Sequence, residues 1–128
     1  MTIEADLRTH LIADSPVTAL VVARIYPIKL PQSPTYPAIT YEIISDIPHR
    51  SLDGDSDLER VRARVHCWGE TYTEAVDLAR KVRTAVGDFS GTMGATAVSS
   101  VKFESWNDIF DDVPEVYRRL VDFIIAHR

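Results

Sequence analysis

Alternation of apolar and polar side chains predicts the strands of this chain. Within residues 58–69 (LERVRARVHCWG), four apolar side chains alternate with arginine and histidine, a two-residue period that is typical of a strand with one buried face. A β-branched and aromatic run at 38–45, a second alternation at 97–106 and an apolar run at 116–127 predict three further strands. The last run is apolar on both sides towards its end, which favours a strand that is central or covered on both faces.

A period of three to four residues predicts helices. Leucine and isoleucine recur every four residues within 2–13, as expected for one buried helix face, and Pro16 begins a short second helical turn. Further along, Thr71 and Glu74 have the spacing of a capping box, which predicts the start of a helix. Small apolar residues mark the buried face of that helix, and Gly87 predicts its end.

Three segments between these elements are predicted as loops. Four prolines make residues 27–37 a stiff extended connection, residues 46–57 (DIPHRSLDGDSD) form a polar loop with a turn signal at Gly54, and residues 107–115 form an acidic loop. The order helix, strand, strand, helix, strand, strand predicts an α+β fold, with helices packed on one face of an antiparallel sheet of about four strands. The length of 128 residues suits a single domain, 1–128.

Composition narrows the class of protein. Apolar residues make up 45 % and charged residues 26 %, as in a soluble globular domain. The net charge of -5 is unlike the basic footprint of a nucleic-acid binder. No apolar run has the length of a signal peptide or a membrane span, and a single cysteine excludes an internal disulfide. These features predict a protein made in a reducing cytoplasm, with no membrane partner.

The adjacent His66 and Cys67 could suggest a reactive or metal-binding pair. Neighbouring residues of a strand point to opposite faces of the sheet, so these two side chains cannot pair within one strand. Cys67 lies in line with the apolar positions and is predicted to be a small buried core residue. The sequence therefore offers no activated thiol.

Acidic clusters could suggest calcium binding or acid–base chemistry. Residues 53–57 carry aspartate at the first, third and fifth positions of an EF-hand loop, but Leu58 and Arg64 stand where glycine and glutamate are required. The acids of 107–115 lie in one predicted loop, where carboxylates are ordinarily solvated rather than catalytic. No metal, cofactor or catalytic residue is predicted, and the chain is not expected to be an enzyme.

The row of Arg60, Arg62 and Arg64 is more informative. Residues two apart on a strand are about 6–7 Å from each other, so three like charges crowd one face. The row is either solvated or contacts an acidic segment of a neighbouring copy, as head-to-tail contacts in a ring would allow. The acidic candidates for such an interface are Asp53, Asp55, Asp57, Asp108, Asp111 and Asp112.

Several short motifs resemble one protein family when they are taken in order. They are RIYP followed by LP, then PAITY, LDG, and the run VHCWGETYTEA that leads into the helix. In order and spacing, and over nearly the whole chain, they resemble the tail-completion or tail-terminator family of long-tailed (siphovirus-type) bacteriophages and prophages. The resemblance implies a structural protein of the virion that forms a homo-hexameric ring at the tail–neck junction after assembly in the bacterial cytoplasm.

The same resemblance implies partners and residue roles. The ring would cap the tail tube protein, end tube polymerisation and join a neck or head-completion protein, and DNA would pass through without specific binding. The family has no catalytic residues. Its motifs fall on residues with packing, turn and capping roles, namely Pro37, Gly54, Cys67, Trp68, Thr71 and Glu74.

Two alternatives remain open. Another neck ring, such as a stopper or head-completion protein, would share the size and symmetry. A small-molecule binding module or enzyme would instead use the sheet face near the arginine row. If the chain is a ring, its lumen is expected to be neutral or negative, with an acidic segment (53–59 or 108–115) at the lumen or rim and the arginine row in subunit contacts.

Overall fold

The computed structural model describes residues 3–51, 54–93, 96–111 and 115–127. The described helices and strands are, in chain order, α1 (Ile3–Ile12), α2 (Ser15–Val21), β1 (Ile25–Pro27), β2 (Ala38–Ser51), β3 (Gly54–Gly69), α3 (Tyr72–Val86), β4 (Gly91–Met93), β5 (Thr96–Asp111) and β6 (Val116–His127).

The strands of the described residues form one sheet in the order β1-β2-β3-β6-β5-β4. Neighbouring strands are antiparallel except β1 and β2, which are parallel. The predicted α+β class is confirmed, but the sheet has six strands instead of about four. The additional strands, β1 and β4, are three residues long, which is too short for a two-residue period to be visible in the sequence.

The helices cover one face of this sheet. Val65 of β3 belongs to the same buried cluster as Leu7, Val17 and Leu78, one residue from each helix. We call this side the covered face. The opposite side, which carries the even-numbered residues of β3 between 60 and 68, is the open face, because successive residues of a strand alternate between the two sides.

The prediction of a polar loop at 46–57 is wrong. β2 continues to Ser51 and β3 begins at Gly54, with Ser51 paired to Gly54 and Arg50 to Asp55. Gly54 is therefore the first residue of a strand. Two irregularities of register in β2, at 43–45 and 48–50, accommodate extra residues in the ladder as β-bulges do.

The prediction of an acidic loop at 107–115 is also wrong over most of its length. β5 extends to Asp111, which pairs with Val116 of β6. Asp108 and Asp111 are thus strand residues whose backbone hydrogen-bonding positions are fixed by the sheet. The polar character of this strand end reflects its exposed side chains, since the pairing itself depends on the backbone.

Local sequence signals position α3 and the start of β2. Thr71 Oγ1 accepts a hydrogen bond from the Glu74 N–H at 3.1 Å, as the side chain of an N-cap residue does. Glu74 Oε1 in turn accepts a hydrogen bond from the Glu70 N–H, just before the helix, at 3.0 Å. Pro37 follows a cis peptide bond and precedes β2, and its carbonyl accepts a hydrogen bond from Arg24 Nε at 3.0 Å.

Candidate assembly interface

The open face carries the arginine row, and two of its three members are bound within the chain. Arg64 lies directly opposite Asp122 of β6 and holds it with two hydrogen bonds, from Nε to Oδ1 at 2.8 Å and from Nη2 to Oδ2 at 3.1 Å. Only 5 % of the Asp122 side chain is exposed. The hydrogen bonds to Asp122 raise the pKa of Arg64, so this paired guanidinium stays charged.

The other two arginines are more exposed. Arg62 Nη2 contacts Glu104 Oε2 of β5 at 3.2 Å, in a partly exposed pair of the kind that contributes little to stability. Arg60 is exposed. The row is thus not three unpaired like charges, because Asp122 and Glu104 neutralise two of them. Its contact with a neighbouring subunit stays a prediction.

His66 is the centre of a polar cluster on the same face. Its Nδ1 accepts a hydrogen bond from Arg118 Nη1 at 3.1 Å, which leaves the Nε2 proton to be donated to Glu42 Oε1 at 2.9 Å. Burial lowers the pKa of His66, and the Arg118 charge adds to this effect while the bond to Glu42 opposes it. A neutral imidazole therefore satisfies both neighbours near pH 7.

Trp68 closes one side of this cluster. Its Nε1 donates to Thr40 Oγ1 at 3.0 Å, and the Arg118 guanidinium lies 4.8 Å from the centre of its ring. Arg118 also forms an ion pair with Asp111, with Nε and Oδ2 3.1 Å apart. Charge attraction therefore links Arg118 and Asp111, although Nε and Oδ2 do not have the geometry of a hydrogen bond.

The two acidic interface candidates with described side chains, Asp108 and Asp111, lie on opposite faces of the sheet. Asp108 lies on the covered side at the end of β5, where Arg119 Nε donates to Oδ1 at 2.6 Å and the Tyr72 hydroxyl donates to Oδ2 at 2.7 Å. The hydrogen bonds from Arg119 lower the pKa of Asp108. Asp108 and Asp111 are therefore each paired with an arginine of their own chain.

The structure does not describe the side chains of the other four acidic candidates. Asp53 and Asp112 lie outside the described residues, and Asp55 and Asp57 belong to the part of β3 whose side chains are not described. Their role in an interface stays a prediction.

Chemistry other than assembly finds little support on this surface. The described ranges contain no group of three His, Cys, Asp or Glu side chains arranged to hold a metal ion. Cys67 is fully buried, and burial raises the pKa of its thiol. None of the helices in the described ranges is long and apolar enough to cross a membrane.

Sequence reasoning missed the lateral edges of the sheet. Beyond the short strands β1 and β4, the described part of the chain places no further strand beside residues 42–51 of β2 or 99–111 of β5. Exposed apolar side chains lie on both edges, with Ile44 on β2 and Ile109 and Phe110 on β5. The available signal for the β5 edge was the pair of apolar residues, Ile109 and Phe110, inside the predicted acidic loop at 107–115.

Comparisons with known proteins show the family and the fold of the chain. The sequence model of the family described as tail completion protein gp17 matches residues 5–128. Among solved structures, a chain described as "Virion of native gene transfer agent (GTA) particle" is similar with a TM-score of 0.72 and 15 % sequence identity, over 98 % of this chain and 93 % of that chain. At this identity the similarity shows the fold. Comparison with curated proteins gives no match.

Proposed function

We propose, because the chain belongs to the tail completion protein gp17 family of phage tail structural proteins, that it is the tail terminator of a phage-like particle. In this role a homo-hexameric ring caps the tail tube, ends its polymerisation and offers its other side to the neck. The match of the family over residues 5–128 is the observation that carries the proposal. The likeness in fold to a chain of a gene transfer agent virion is consistent with it.

The geometry of the sheet is compatible with this role. A subunit of a ring needs two different surfaces that meet head to tail. Among the described residues, the two sides of the sheet differ, with β2 at one edge beyond β1 and β5 at the other beyond β4. The alternative of a small-molecule site near the arginine row gains no support, since Arg62 and Arg64 are bound to Glu104 and Asp122. Another neck ring remains the neighbouring alternative.

A tube-elongation assay tests the proposal. The tail tube protein of the same particle is polymerised with and without this chain, and tube lengths are measured by electron microscopy. We expect tubes that stop growing and carry a ring at one end, because a terminator occupies the surface to which the next tube ring would add. A neck ring of another kind would leave elongation unchanged and would bind only to tubes already capped. Unchanged elongation would therefore exclude the terminator role.

The assembled ring is expected to show no detectable binding of duplex DNA near physiological salt. Six copies at -5 each carry -30, and tight non-specific binding needs several arginines or lysines free to contact phosphates. Fluorescence polarisation with a labelled duplex between 50 and 200 mM salt would measure this. Micromolar binding that falls steeply with salt, and that disappears when Arg60, Arg62 and Arg64 are all changed to serine, would place the arginine row in the lumen and contradict the expectation.

A further inference from the structure

The outward backbone groups of β2 can be identified from its hydrogen bonds. The Ile39 N–H donates to the Arg24 carbonyl at 2.9 Å, and the Tyr41 carbonyl accepts from the Ile28 N–H at 2.8 Å. The backbone N–H and C=O groups of Ile39 and Tyr41 therefore point away from β3, and we call such residues outward. Backbone groups alternate along a strand, which makes Ile43 the next outward residue. Beyond the bulge at 43–45, positions 46 and 48 point outward. Position 48 is a proline, and an outward position on an edge strand is where its missing N–H removes no bond of the sheet.

The same reasoning applies to β5. The Val101 carbonyl accepts from the Asp88 N–H at 3.1 Å, so Val101 points away from β6. Beyond the bulge at 103–105, the alternation gives Trp106, Asp108 and Phe110 as outward residues. No described strand pairs with their outward peptide N–H and C=O groups, and such an edge can pair with another strand.

A groove runs beside this edge, between β5 and α3. It has a volume of about 450 Å³ and is lined by Arg80, Arg83, Thr84, Gly87, Asp88 and Trp106. The Arg83 guanidinium lies 4.0 Å from the centre of the Phe103 ring, which holds one wall in place. Within the described part of the chain neither Arg80 nor Arg83 forms an ion pair with a carboxylate. An open strand edge beside a helix is the arrangement that accepts an added strand in β-augmentation.

We propose that β2 of a second copy adds antiparallel to the outer edge of β5, along this groove. β2 is antiparallel to β3, β3 to β6 and β6 to β5, so β2 and β5 run in opposite directions. A second copy placed beside the first in the same orientation therefore presents its β2 edge antiparallel to β5. The contact joins two different edges, so it repeats from copy to copy and can close into a ring.

Side chains along the two edges agree with this occupant. Three of the six exposed large apolar side chains of the described residues lie there, Ile44 on one edge and Ile109 and Phe110 on the other. The inference rests on the proposed ring and adds which surfaces meet in it.

Proline at position 110 tests the backbone contact. Because the Phe110 N–H points outward, Phe110→Pro removes a free edge donor and no bond to β6, while Phe110→Ala removes the same side chain and keeps the donor. We expect the protein concentration needed for half-maximal self-association, measured by native mass spectrometry and sedimentation, to rise about tenfold or more in Phe110→Pro relative to Phe110→Ala, as for loss of one backbone hydrogen bond per contact. Equal association of the two variants would overturn the inference. Circular dichroism checks that both are folded.

Cysteine pairing tests the same contact without a change in the backbone. Ile44→Cys and Ile109→Cys proteins are mixed under mild oxidation, and Cys67 does not interfere because it is fully buried. We expect a disulfide-linked dimer in the mixture at a yield several times that of either variant alone. Equal yields would overturn the edge pairing. If rings stop tube growth although the cysteine pair gives no excess cross-link and Phe110→Pro does not weaken association, the inference fails while the proposed function stands. If edge pairing is found but tube growth continues, the function fails alone.

Discussion

Replacement of Asp122 by alanine is expected to lower the free energy of unfolding by about 2–3 kcal/mol, because it removes two hydrogen bonds to a charged group. The carboxylate is nearly inaccessible to solvent and accepts two hydrogen bonds from Arg64. Without it, the Arg64 guanidinium remains on the sheet with neither its partner nor full hydration. A domain of this kind is stable by only about 5–15 kcal/mol, so the variant should lose a large part of its stability.

Glu104→Ala is the matched control. Glu104 also accepts a hydrogen bond from an arginine of β3, Arg62, but 37 % of the Arg62 side chain and 29 % of the Glu104 side chain are exposed. Exposed pairs contribute about 0–1 kcal/mol, so the control should unfold at nearly the same urea concentration as the unchanged protein. Urea unfolding followed by fluorescence measures both. Equal losses in the two variants would mean that burial does not set the strength of the Arg64 pair.

The sequence predicted the elements whose signals are local. The alternation around Val65 located the central part of β3, and the spacing of Thr71 and Glu74 located the start of α3. Both signals come from residues that are close in the chain and experience one environment, a half-buried strand or a helix start. The direction of Cys67 towards the covered face followed from the same alternation.

The ends of the long hairpins could not be predicted in this way. In β2 beyond residue 45 and in β5 beyond residue 106, strand pairing comes from backbone hydrogen bonds between neighbouring strands of the sheet. The side chains of β5 beyond residue 106 are exposed or half-buried on both faces, so no two-residue period marks this end of the strand. Polar composition and Gly54 then resembled a loop, although the backbone is paired.

The candidate interface was hidden for a different reason. Arg64 and Asp122 are 58 residues apart in the sequence, and they meet only because β3 and β6 are neighbours in a particular register. The same holds for the open edges, since the order β1-β2-β3-β6-β5-β4 decides which strands lack a neighbour. Strand order and register are set by the whole core. The arginine row was therefore visible in the sequence, while its partners were not.

Replacement of Phe123 by alanine is expected to lower the free energy of unfolding further than the loss of Asp122 does, and to do so through packing. Phe123 lies in the middle of β6, is fully buried, and its ring centre is 6.3 Å from that of Phe103. Loss of a buried phenylalanine costs about 3–5 kcal/mol, because the removed ring leaves a cavity that the surrounding core fills only in part. Phe103 is also the ring that holds Arg83 at the groove, so the change should loosen that wall as well.

Phe110→Ala separates this effect from assembly. Phe110 is 46 % exposed and packs on Tyr117 at a ring-centre distance of 4.9 Å, so its loss should lower the free energy of unfolding by only about 1 kcal/mol, the scale of an aromatic pair. Urea unfolding at concentrations where the protein is monomeric gives both values. Under the proposed edge pairing, Phe123→Ala lowers stability in the monomer, whereas Phe110→Ala changes stability little and weakens association. A Phe123→Ala protein as stable as Phe110→Ala would show that the helices and the covered face of the sheet are not packed around Phe123 as described.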